Sequence, residues 1–167
     1  MCLLLILMSI GFALNLAMGI TGSFFPPESF WQMTCWQIGD ASAIMASILA
    51  SRYIGTKGLH IVPSGFVLLG IAYGVSFASS AFNAINEDKM ATIILPLLPA
   101  LFLISIGRFF TAWVRILSAT ICIPFFFIYY NVINGTYTFE NTSNALAYSG
   151  IQILGIVWAV YIWMNYK

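Results

Sequence analysis

Six apolar stretches follow one another along the chain with almost nothing between them, and this spacing constrains the fold more than any other feature. They run approximately from Cys2 to Ile20, Gln32 to Ile54, Val62 to Ile85, Met90 to Gly107, Phe110 to Ile133, and Leu146 to Tyr166. A helix needs about 20 mostly apolar residues to cross roughly 30 Å of hydrocarbon at ~1.5 Å per residue. Each stretch is therefore predicted to be one membrane-spanning helix. The connections TGSFFPPESFW, GTKGLHI, NEDK, the few residues around Arg108, and NGTYTFENTSNA leave no room for a soluble domain. Composition points the same way, with 61% hydrophobic and 7% charged residues, against roughly 45–50% and 25% in soluble proteins. Too few charges remain to solubilise a globule. The net charge of +1 gives no basic field for nucleic acid. The expected architecture is all-α: one polytopic domain over residues 1–167, bundled from six transmembrane helices.

Orientation follows from the cations, because cytoplasmic connections retain Lys and Arg. With the N-terminus inside, Arg52, Lys57, Arg108, Arg115 and Lys167 fall on the inner side and only Lys89 outside. Both termini are thus expected to be cytoplasmic. Trp31, Trp36, Tyr129 and Tyr130 would form the outer aromatic belt, and Tyr53, Trp113, Trp163 and Tyr166 the inner one. The first stretch ends in small residues around Ala17 and Gly19, but it lacks the basic region of a signal peptide and is read as a span. The sequons at Asn134 and Asn141 lie in the last outer loop, the side on which glycosylation takes place.

Association of helices in lipid depends on close approach through small residues. Gly70, Gly74 and Ala78 make such a ridge on the third span, facing Gly39, Ala43, Ala46, Ser47 and Ala50 of the second. Pro96, Pro99 and Pro124 remove backbone donors within the fourth and fifth spans, where kinks are expected. A 3+3 inverted repeat is suggested by the segments beginning Ser64-Gly65 and Ser149-Gly150. These align without gaps and share six identities, among them Gly70/Gly155 and Val75/Val160. The other span pairs do not sustain the match.

Asp40 is the residue with the clearest chemical meaning. It lies about eight residues inside the second span, hence roughly 12 Å below the outer end, where a lipid-facing carboxylate would be costly. Gln37, Asp40 and Ser47 follow helical spacing, so the carboxylate is expected to point into the bundle, as a proton, cation or solute contact or as a helix-to-helix hydrogen bond. Asn15, Asn83, Asn131 and Gln152 are further interhelical hydrogen-bonding residues. Arg108 and Arg115 are expected to snorkel to lipid headgroups.

Catalytic constellations are largely missing. His60 is the single histidine, and Cys2, Cys35 and Cys122 have no paired spacing. Haem, zinc and dithiol centres therefore lack ligands, and neither metal nor cofactor is expected. Two function classes stand nearly level: a small carrier or channel using Asp40, and a non-catalytic accessory or scaffold subunit of a larger membrane complex. A lipid-acting enzyme comes third. The partners implied are the lipid bilayer together with other membrane subunits or further copies of the chain. The membrane expected is the plasma or bacterial inner membrane, and an organellar one fits the same pattern.

Overall fold

The computed structural model describes residues 2–26, 29–81, 87–138 and 142–166. Within them the chain forms six α-helices and no strand: α1 Cys2–Gly22, α2 Phe30–Gly55, α3 Ile61–Ala81, α4 Glu87–Ile106, α5 Ala112–Ile133 and α6 Thr142–Met164. Four of these, α1, α3, α5 and α6, are long and apolar enough to cross a membrane. α2 has 26 residues, or about 39 Å at ~1.5 Å each, but Gln32, Gln37, Asp40 and Arg52 dilute its hydropathy. The apolar part of α4 is the shorter run Ala91–Ile106. Asn83, Asn141 and Lys167 lie outside the described residues.

Local chemistry sets the helix ends. Ser29 caps α2, its hydroxyl accepting from the Gln32 backbone N–H at 3.3 Å, which satisfies one of the donors left open at a helix start. α5 stops at Asn134, where Gly135 takes a positive φ of 64° and Thr136 N–H reaches back to the Asn131 carbonyl at 2.9 Å. That left-handed step favours glycine. The first sequon is thus folded into the end of a helix, with the exposed Asn134 amide donating to the Tyr130 carbonyl at 2.8 Å.

Each helix packs against its neighbours in sequence, and α6 closes on α1. The helices therefore form a closed ring in chain order. The tightest crossings use glycine: a Cβ at Gly11 would stand 2.7 Å from the Ser42 carbonyl oxygen, and one at Gly65 would stand 2.9 Å from that of Ala100. These draw α1 onto α2 and α3 onto α4. Along the α2 and α3 seam the approach is an ordinary one, with Gly70 over Ser47 and Gly74 near Ile44. Ala78, the third residue of that ridge, is exposed.

The ring interior is filled by side chains. Toward the end that carries Arg52 and Arg108, an aromatic cluster occupies the middle. Phe66 of α3 meets Trp158 of α6 edge to face at 5.0 Å, and Phe110 meets Tyr161 at 5.2 Å. Trp158 is fully buried and its indole N–H donates to Ser118 Oγ at 3.2 Å, tying α6 to α5. Phe12 of α1 packs against the other side of the same indole. The outer surface, by contrast, exposes Leu3, Ile10, Ile48, Phe102, Ile116, Phe126 and Ile153. Of the expected belt residues, Trp31, Trp36, Tyr130, Trp113, Trp163 and Tyr166 are exposed, whereas Tyr53 is buried, with Lys57 poised over its ring at 5.3 Å.

Arg115 has protein partners that its position near a span end does not announce. Its Nε donates to the Ser105 carbonyl at 2.7 Å and its Nη2 to that of Ile106 at 3.4 Å. The last carbonyls of α4 have no partners within their own helix and attract a cation, so the guanidinium docks α5 onto the end of α4. Arg108 is exposed. Arg115→Met is expected to lower stability by about 1.5–3 kcal/mol, the range for hydrogen bonds to a charged group. Arg108→Met should be nearly silent in the same thermal melts.

Candidate functional site

Asp40 reaches the ring interior because α2 presents it one residue after a polar anchor. The buried Asn15 side chain of α1 donates to the Gly39 carbonyl at 3.1 Å, which fixes the α1 and α2 backbones at the level of the carboxylate. The approach at Gly39 is an ordinary one, since a Cβ there would stand 3.5 Å from the Asn15 amide nitrogen. Asn15→Leu keeps the volume and removes the donor. It is expected to cost roughly 0.6–1.7 kcal/mol, the range measured for interhelical hydrogen bonds in a membrane protein, and to loosen the site together with the crossing.

From this position Asp40 accepts a hydrogen bond from the Ser76 hydroxyl of α3. It faces a cavity of about 30 Å³ lined by Asp40 of α2, Ala72, Tyr73 and Ser76 of α3, Ile93 and Leu97 of α4, and Tyr148, Ile151 and Gln152 of α6. Four helices thus meet at one carboxylate. The hydroxyls of Tyr73 and Tyr148 lie within electrostatic reach of it. The Gln152 amide is pressed against α1 at Gly19, where an added Cβ would collide with it. No cationic side chain stands beside the carboxylate among the described residues. The cavity lies in the half of the ring away from the aromatic cluster, and Trp158 and Phe66 close the interior below it.

The other residues singled out by sequence are distributed differently. Gln37 is half-buried one turn above Asp40 and does not line the cavity. Ser47, two turns below, is fully buried against Gly70, its hydroxyl without a hydrogen-bonding partner. Asn131 bonds within the turn that ends α5. Tyr73, Ser76 and Tyr148 were not among the sequence candidates. Spaced one and two turns apart, Leu69, Tyr73 and Ser76 share the inward side of α3, a polar notch in an apolar face that could have flagged the pair.

The chemistry open to this arrangement is narrow. A water needs roughly 10–15 Å³ by this measure, so the cavity admits about two waters and no organic solute. Among the described residues no trio of His, Cys, Asp or Glu converges, and the three cysteines are unpaired. A half-buried carboxylate that accepts from one hydroxyl and has two tyrosines within electrostatic reach can take up a proton or a small ion, or it can simply hold two helices together. No protein-family model, curated protein or solved structure matches the chain.

Proposed function

We propose that the chain is an integral membrane protein of six spans, and that it acts as a small carrier or channel in which Asp40 binds and releases a proton or a small monovalent cation. The observation that carries this reading is the cavity itself: a carboxylate with no cationic partner among the described residues, opening on a space about two waters large. A purely structural carboxylate would be better served by a closed hydrogen-bonded pair, because each empty or wet volume in an interior forfeits contacts.

The exposed apolar surface, which includes Ile38 and Ile48 of α2 and Leu95 and Phe102 of α4, supports placing all six helices in lipid. An inverted 3+3 repeat does not belong to this reading. A two-fold axis in the membrane plane reverses the circular order of helices viewed from one side, whereas pairing α1, α2, α3 with α4, α5, α6 preserves the order of the ring. The matched glycines agree with this. Gly65 and Gly70 face α4 and α2, while Gly150 and Gly155 face α5 and α1, the reverse of what the symmetry of a ring would require.

Purified protein in liposomes with an imposed pH gradient tests the proposal. Proton movement above that of protein-free vesicles is expected. If flux stays at background and the protein leaves its native membrane in fixed stoichiometry with other chains, the accessory-subunit reading replaces this one.

A further inference from the structure

Resting on that reading, we infer that the Asp40 cavity is a binding site for a largely dehydrated alkali cation of about the size of sodium, held by the Asp40 carboxylate and by neutral oxygens of Ser76, Tyr73, Tyr148 and Gln152. Three properties of the site point to this occupant. First, the donor set is all oxygen, one carboxylate with hydroxyls and a side-chain amide, which is the ligand chemistry of hard cations and not of transition metals. A proton is satisfied by one acceptor, whereas oxygen-bearing side chains that line one cavity from α2, α3 and α6 can together replace a hydration shell.

Second, charge selects valence. The site offers one negative charge, and no other charged group faces it among the described residues. Tyr73 and Tyr148 are the titratable neighbours from α3 and α6, α4 contributes Ile93 and Leu97, and α1 contributes only the Asn15 amide behind Gly39. A monovalent cation makes the assembly neutral. A divalent one would leave a net charge desolvated among apolar side chains, which low dielectric strongly disfavours.

Third, size limits hydration. About 30 Å³ holds the ion with at most one or two waters, so binding requires the side-chain oxygens to do most of the coordination. Because only the ionised carboxylate binds a cation, sodium and protons compete for the same group.

Thermal unfolding of the detergent-purified full chain in sodium, lithium, potassium and choline chlorides at matched ionic strength tests the inference. Sodium is expected to raise the melting temperature in a saturable way over choline, since a ligand bound only by the folded state stabilises it. The half-saturating concentration should rise by up to about tenfold per pH unit on the acid side of the carboxylate titration. Asp40→Asn should abolish the response. Tyr73→Phe and Ser76→Ala, which keep the shape, should raise the half-saturating concentration on the order of tenfold, the size of one lost charge-assisted contact.

Equal melting temperatures in all four salts at about pH 9, where protons compete least for the carboxylate, would overturn the sodium site. The proposed function would then be judged separately. If proton flux in liposomes still depends on Asp40, the carrier stands with the proton as its only occupant; if flux is absent too, both fall. A sodium response that survives intact in both Tyr73→Phe and Ser76→Ala would also overturn the inference, by locating the ion elsewhere.

Discussion

Asp40→Asn is expected to leave the protein folded and remove its ion flux. Asparagine is nearly isosteric, and its side-chain oxygen can still accept from the Ser76 hydroxyl, so the α2 and α3 contact survives. What disappears is the charge to which the proposed function assigns the binding and release of an ion. Flux in liposomes should fall to the protein-free background, while the melting temperature changes by no more than the loss of about 1 kcal/mol implies. Asp40→Leu separates the two roles further. It removes the acceptor as well, leaving the Ser76 hydroxyl unpaired in the interior at a cost of about 1–3 kcal/mol, and lower expression or a lower melting temperature should accompany the lost flux. Unchanged flux in the asparagine variant would take the residue out of the mechanism.

Trp158→Ala is expected to be the most damaging truncation in the bundle. The indole is fully buried, meets Phe66 at 5.0 Å and Phe12 at 6.2 Å, and donates to Ser118. Removing it discards these contacts and creates a void, which for buried aromatic side chains costs about 3–5 kcal/mol. Trp158→Phe keeps most of the packing and loses the hydrogen bond, so about 1 kcal/mol is expected. The two variants also separate stability from closure. Where the alanine variant can be reconstituted, it should leak protons in the absence of any imposed coupling, because the aromatic cluster is what seals the interior below the Asp40 cavity. The phenylalanine variant should stay tight. Equal leak in both would place the seal elsewhere.

Much of the architecture was legible in the sequence because it rests on local rules. The apolar run lengths suffice to find six helices, and the cost of a carboxylate within an apolar run suffices to single out Asp40. Helical spacing also gives the side of α2 on which it lies. Spacing does not say which neighbour covers that side at each level. Ser47 shares the face of Asp40, yet about 10 Å further along Gly70 brings α3 over it. Tyr73, Tyr148 and Gln152 come to Asp40 from two other helices, and only the ring order brings them together. The partners of Arg115 and Tyr53 escape helical spacing for the same reason. Position near a span end suggests the interface, but the bare carbonyls of α4 capture the first, and the packing of α2 buries the second.

The closed ring has a bearing on how the molecule is made. Every close backbone approach between helices but one joins segments adjacent in the chain, so five of the six seams can zip as each helix emerges from the ribosome. The sixth, between α1 and α6, must wait for the last helix, and until then α1 keeps Phe12, Gly19 and the neighbourhood of Asn15 uncovered. The Asp40 cavity is unfinished during the same interval, because Tyr148, Ile151 and Gln152 all arrive with α6. Closure of the ring and completion of the cavity are therefore one event.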